Sequence, residues 1–351
     1  MKNFYLAPAA CAVLAALAAA SSAAAQGAPL DQRCAATTPT TTGGYSAALV
    51  QQDACQKSVD LFNYLAPQLG ALVAGGSAEL GRGGTLGGLG RFGLALRANV
   101  IGGGRIPDLS QASLSVTGAA RTNFAVKPQT LALPTADLGV GLFAGVPVGL
   151  TRIGGLDLLL SGGYVPSFSS GTVRVDRTGP TLQLGYGARV GLLERSRFVP
   201  GVGLTYLRRE LPATSILATT SDGGTIGVYA ARVRTNSWRL SADQHVSILG
   251  VTAGVGQDRY DSQAAIAGSV AVANIPGYAG QTVSFNETLA QRLTRTNVYA
   301  GASVRAGGLA QLVAEVGRAS GGGSVPTYNG FSGRAPTDAY TYVSLGLRVG
   351  R

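Results

Sequence analysis

The chain has 351 residues, only 13% of them charged, with 52 glycines and a formal net charge of +11. Soluble domains average about 25% charged residues and about 7% Gly, so this composition, with a mean hydropathy of +0.22, departs from theirs. Past the first residues every apolar run is broken by Gly, Pro or charge before about 18 residues, which excludes a transmembrane helix, and no basic cluster interleaved with aromatics points to nucleic acid.

Residues 1–25 read as a secretory signal peptide. Lys2 supplies the positive start, Ala9 to Ala20 the apolar stretch, and Ala23-Ala24-Ala25 a cleavage signal ahead of Gln26. Cleavage near Ala25 removes Cys11 and leaves Cys34 and Cys55. In an oxidising compartment these two are expected to pair, the alternative being two free thiols. Residues 26–90 form an N-terminal periplasmic or plug segment. Its start is polar and rich in Thr and Gly; residues 46–66 then predict a helix, with Val50, Ala54, Leu61, Phe62 and Leu65 on one side and Pro67 as its stop. That helix either packs on the outside of the fold, the preferred placement, or serves as a plug or lid.

Gly88, Gly90 and Gly93 spell G-x-G-x-x-G, and Asp108 follows 20 residues after Gly88. A dinucleotide loop needs a strand before the glycines and a helix after them. Here Phe92, Leu94, Leu96, Ala98 and Val100 alternate with polar and small residues, which is the period of a strand. The same period recurs in segments of about ten residues to the end of the chain. Their apolar faces include Leu138, Val140 and Leu142; Leu156, Leu158 and Leu160; Leu182, Leu184 and Tyr186; Val202, Leu204 and Tyr206; Trp238 and Leu240; Leu249, Val251 and Val255; Val298 and Val304; Leu312 and Val316; and Val343, Leu345 and Leu347.

None of these faces carries a charge. The opposite faces carry Arg91, Arg97, Asp137, Asp157, Arg189, Arg239, Asp243, Arg295, Arg305, Glu315 and Arg348. An Arg on a lipid-facing strand position at mid-membrane costs roughly 2–4 kcal/mol, so the segregation points to lipid on one side and a lumen on the other. Short connections alternate with long ones, as in barrels with tight periplasmic turns and long outer loops. Residues 91–351 therefore predict an all-β, up-and-down antiparallel transmembrane β-barrel of ten strands. A hairpin hidden in Gly102 to Thr135, using Leu114 to Val116 and Phe124 to Val126, would make twelve. Tyr164, Tyr206, Tyr260 and Phe198 suit aromatic girdles.

The stretches FVPGVGLTY, Phe198 to Tyr206, and YTYVSLGLRVG, Tyr340 to Gly350, resemble strands of small bacterial outer-membrane barrel proteins. The resemblance covers roughly Arg91 to Arg351; such proteins usually end on an aromatic residue, whereas this chain ends on Arg351. It implies residence in the outer membrane, contact with its lipid, and insertion by the barrel-assembly machinery. It implies no solute.

Little in the sequence suggests catalysis. His245, the single histidine, lies near Asp243 and Ser241, but side chains at alternate positions of one strand are about 7 Å apart, too far to form a relay. No ligand set for a metal and no cofactor motif stands out. The expected role is a structural barrel, its interior filled by Arg–carboxylate pairs, or a narrow pore for small polar or anionic solutes. Two alternatives are uptake of hydrophobic compounds with the N-terminal helix as a hatch, and a soluble exported β-sandwich that binds a ligand.

Overall fold

The computed structural model describes residues 27–35, 46–78, 81–165, 167–170, 172–177, 182–221, 225–271, 282–320, 322–333 and 335–350. The expected signal peptide, residues 1–25, and Arg351 lie outside the described residues. Ten strands build the barrel: β1 (Phe92–Gly102), β2 (Leu131–Phe143), β3 (Gly155–Tyr164), β4 (Leu182–Leu193), β5 (Gly201–Thr219), β6 (Thr225–Val246), β7 (Leu249–Ala271), β8 (Thr282–Gly307), β9 (Ala310–Ser320) and β10 (Tyr340–Gly350). Each pairs antiparallel with its successor, and β1 pairs with β10 from Gly93↔Gly350 to Gly102↔Thr341. The sheet therefore closes on itself and leaves no main edge. Closure rules out the β-sandwich. It also sets the number of barrel strands among the described residues at ten: the segment 123–128 pairs with 105–108 and 330–331 in a separate small sheet, and the short strands 168–170 and 173–177 only extend the main sheet beside the upper part of β5. Gly88 to Gly93 leads straight into β1, with no helix after it.

Tight connections gather at one mouth. Ser247 and Ile248 join β6 to β7, and Gly308 and Leu309 join β8 to β9. The long connections leave from the other mouth, which is the outer one by this pattern. Between the mouths runs an uncharged belt of outward side chains. Leu96, Leu184, Val251, Leu312, Val316 and Leu345 are each at least half exposed. In water such a continuous apolar surface would drive aggregation; in hydrocarbon it is the solvated face. At its outer edge the rings of Tyr206 and Trp238 pack 4.6 Å apart, with Tyr164 and Tyr186 exposed nearby. Tyr260 does not belong to this girdle: it points inward and is buried.

β5 to β8 run far past the belt. At about 3.4 Å per residue and a tilt near 40°, β7 rises roughly 60 Å, more than twice the ~25 Å apolar band of such barrels. The sequence places loops over much of these extensions, at Arg209 to Thr225 and Gln257 to Leu289. The ladder continues there because alternation persists with its polarity reversed. On β7, Tyr260, Ser262, Ala264 and Ile266 are buried, while Arg259 and Gln263 are exposed and Asp261 half-buried. On β6, Val233 is buried between exposed Arg232 and Arg234. Above the membrane, water is the outer solvent, so the apolar set turns inside.

What it turns toward is α1 (Ala47–Ala74). The expected stop at Pro67 and the placement on the outside of the fold both give way to a 28-residue helix inside the barrel. Ser46 caps its start, accepting from Ala48 N at 3.2 Å. Proline within a helix frees the carbonyl four residues earlier. Here that carbonyl, Asn63 O, accepts from Gln291 Nε2 at 3.4 Å, and Asn63 Oδ1 accepts from the same group at 3.1 Å. The wall thus supplies the bond that Pro67 removes. Leu61, Phe62, Leu65, Leu69 and Leu72 join Ile101, Leu131, Leu133, Leu211, Val233, Leu289 and Leu293 in one apolar core. Gly70 allows the helix to touch Tyr260, since a Cβ there would lie 2.5 Å from the ring.

Candidate functional site

The interior at membrane level is where a solute would pass, and it is occupied. After α1 the chain continues down the lumen and emerges at the periplasmic mouth before β1. An α-helix leaves its last four carbonyls without partners inside the helix. Ala71 O accepts from Gly75 N at 2.9 Å. Leu72 O accepts from Asn99 Nδ2 at 2.7 Å. Val73 O and Ala74 O each accept from Arg209 Nη1 at 3.3 Å, and Ala74 O also from Arg239 Nη2 at 2.7 Å. Two buried guanidinium groups therefore sit at the negative end of the helix dipole, where cations are favoured.

The segment below is held in the same way. Arg97 Nη1 donates to Gly75 O at 3.1 Å, and its Nε pairs with Asp137 Oδ2 at 2.5 Å. Arg189 donates to Gly84 O at 3.1 Å and to Ala78 O at 3.0 Å. The carboxylates bind backbone N–H groups. Glu315 accepts from Ser77 N at 3.1 Å, and Asp243 from Gly83 N at 2.8 Å and Gly84 N at 2.9 Å. Asp157 accepts from Leu86 N at 3.0 Å, and Glu194 from Thr85 N at 3.1 Å. Inward glycines of the wall admit this backbone: a Cβ on Gly141 would lie 2.3 Å from Gly88 O, and one on Gly203 2.2 Å from Gly83 O. The residual space beside Gly76, Arg189, Arg239 and Tyr299 is about 10 Å³, near the lower limit for one water.

Of the eleven charged residues expected to line the lumen, nine are buried: Arg97, Asp137, Asp157, Arg189, Arg239, Asp243, Arg295, Glu315 and Arg348. Arg91 and Arg305 are exposed at the periplasmic mouth instead, because they stand where the ladder begins and ends. The nine do not converge on one site. Arg295 reaches up to the last outer connection, donating to Asp338 O at 2.8 Å and Pro336 O at 3.2 Å, and Arg348 bonds Gln311. Sequence reasoning missed Arg209, Asp258 and Glu194. Arg209 and Asp258 fall in the extensions read as loops, where continuing the period-two count from Leu204 and Val255 would have placed both inward.

His245 lies at the periplasmic mouth, its Nδ1 3.5 Å from Asp243 Oδ2, closer than the expected strand spacing because both side chains lean toward Arg195, whose Nη1 is 2.5 Å from that Nδ1. Asp243 is committed to Gly83, Gly84 and Arg195. These bonds tie the Asp243 carboxylate to the segment after α1. Among the described residues no group of three His, Cys, Asp or Glu side chains is arranged to hold a metal ion.

The outer cap closes the top. Cys34 and Cys55 form a disulfide, tying the N-terminal residues to α1. Asp53, paired with Lys57, accepts from Ser115 N at 2.7 Å and Ala120 N at 3.0 Å. Asp60 accepts from Tyr328 N, Asn329 N, Asn329 Nδ2 and Gln56 Nε2. Burial pushes the Asp60 carboxyl up to about 6 in spite of those four bonds. Lys127 beside the exposed rim of the cap holds the Asp108 carboxyl below its ordinary value.

No protein-family model and no curated protein matches the chain. Among solved structures it is similar to the outer membrane protease OmpT from Escherichia coli, at 8% identity over 75% of this chain and 97% of that one, with a TM-score of 0.38. It is also similar to the β domain of the Bordetella autotransporter BrkA, at 13% identity over 74% and 98%, with a TM-score of 0.33. An outer membrane channel from Pseudomonas putida F1 aligns at 10% identity over 75% and 96%, with a TM-score of 0.30. Likeness at this level carries nothing about activity, and the barrel stands on its own strand pairing.

Proposed function

We propose that this protein is an outer-membrane barrel kept shut by its own N-terminal segment, with a structural and surface-presenting role and no catalytic one. The closed sheet and its uncharged belt support residence in the outer membrane, in contact with its lipid and inserted by the barrel-assembly machinery. The observation that carries closure is the end of α1, whose last carbonyls are capped by Asn99, Arg209 and Arg239 of the wall. In planar bilayers, refolded protein spanning residues 26–351 gives no channel events, and a variant lacking residues 26–90 conducts. Steady conductance from the intact chain would overturn this reading.

A narrow pore for small polar or anionic solutes is the second reading, and it uses the same lumen. Withdrawal of the end of α1 and the segment after it uncovers Arg97, Arg189, Arg209 and Arg239, all now bonded to their carbonyls. Conductance through the variant lacking residues 26–90 then favours anions over cations in reversal-potential measurements.

A further inference from the structure

The outer surface of the barrel is not uniform. Where β2, β3 and β4 end and β5 and β6 continue upward, an open groove of about 870 Å³ lies against the belt. Two small outward residues, Ala136 and Gly162, lie in its lining beside Leu184. Ala136 on β2 stands opposite Gly162 on β3, which stands opposite Leu184 on β4. A Cβ at Gly162 would approach nothing closer than Gln183 O at 4.0 Å, so the position is open. Leu138, Leu160, Leu182 and Tyr186 form the sides. This is a trough of hydrocarbon character within the bilayer belt.

Above the trough the lining changes to Arg208, Glu210, Pro212 and Arg232. Glu210 is taken by Arg234, at 3.1 Å. Neither Arg208 nor Arg232 has an ion-pair partner among the described residues, although both point outward at the membrane edge. The register pairs Leu211 with Val233, so Arg232 lies about four strand positions beyond Arg208, roughly 13 Å at 3.3 Å per residue. Two arginines whose backbone positions are that far apart, with a satisfied carboxylate between them, can reach two anionic groups on one scaffold as well as a single headgroup. Guanidinium groups bind phosphate bidentately.

We infer that this groove binds a phosphorylated, multiply acylated glycolipid of the outer leaflet, with acyl chain along Ala136, Gly162 and Leu184 and phosphates at Arg208 and Arg232. The inference rests on the membrane-spanning reading, which heat-modifiable gel mobility checks separately on every variant. The test is titration of the folded full chain in detergent, by native mass spectrometry, with bis-phosphorylated hexa-acyl lipid A. Phosphatidylglycerol and inorganic phosphate are the comparison probes. Lipid A binds at least tenfold more tightly than phosphatidylglycerol, and inorganic phosphate does not compete at equal concentration. The double variant Arg208→Ala, Arg232→Ala and the trough-filling Gly162→Leu each lose at least tenfold in lipid A affinity. Arg259→Ala with Arg318→Ala, exposed arginines away from the groove, leaves it unchanged. Equal binding by wild type and both groove variants, or equal binding of phosphatidylglycerol and lipid A, would overturn the proposal.

Discussion

The lower and upper halves of β5 to β8 are one set of strands built on opposite rules. At membrane level, Trp238 and Leu240 point out while Ser237 and Arg239 point in. A few residues higher on the same strand, Arg232 and Arg234 point out while Val233 points in. The backbone ladder does not notice the change; β6 and β7 stay in register from Val246↔Leu249 to Arg232↔Gln263. Strand pairing is thus indifferent to polarity, and the medium outside decides which face is apolar. The contents differ accordingly. The upper half encloses a helix through apolar contacts, and the lower half encloses a bare backbone through Arg, Asp and Glu.

The sharpest way to break this contrast is to remove a lower-half charge. Arg239 faces Glu315 at 3.6 Å and caps Ala74. Arg239→Leu leaves the carboxylate buried and less compensated, with an expected loss of about 3–5 kcal/mol in urea unfolding of the barrel refolded into vesicles. Next is the outward face of the same strand: Leu240→Arg sets a charge in hydrocarbon and costs about 2–4 kcal/mol in the same assay. If Leu240→Arg were neutral, the belt would not be in lipid.

The upper half responds instead to pH. Asp60 in the cap has a folded-state carboxyl raised to about 6, so its contribution is full below about pH 4 and lost as pH rises through about 6. At roughly 1.4 kcal/mol per pH unit the change is at most about 3 kcal/mol. Hydrogen exchange of the α1 amides is therefore slower at pH 4.5 than at pH 7.5 after correction for intrinsic rates, and Asp60→Asn flattens the difference. The smallest effect is the mirror of Leu240→Arg. Arg234→Leu, outward above the belt in an exposed pair with Glu210, changes stability by less than about 0.5 kcal/mol.

The ten strand positions were legible because a charge-free face repeated at period two suits a strand in lipid and little else. The strand lengths were not. Searching for apolar residues on the outer face ends each strand at its aromatic rim, although Arg259, Asp261 and Gln263 alternate with Tyr260, Ser262 and Ala264 as regularly as anything below. The helix was legible to Pro67 and no further, since the repair by Gln291 comes from a residue more than 200 positions away. Nine inward charges, from Arg97 on β1 to Arg348 on β10, were found by position. Their partners were not, because the segment after α1 binds through backbone groups, which look alike in every sequence. Its signature was the excess of glycine, both in that segment and on the wall facing it.

The path of the N-terminal segment has a topological consequence. Residues 27–35 sit against Thr327 and Thr288 at the outer mouth, while β1 starts at the periplasmic one, so the polypeptide is a string passing through a ring made of itself. Pairing of Gly93 with Gly350 fastens that ring. Biogenesis must therefore either zip β1 to β10 around a strand already in place or draw a free end through afterwards, and a tag grafted ahead of Gly27 would stand outside the cell.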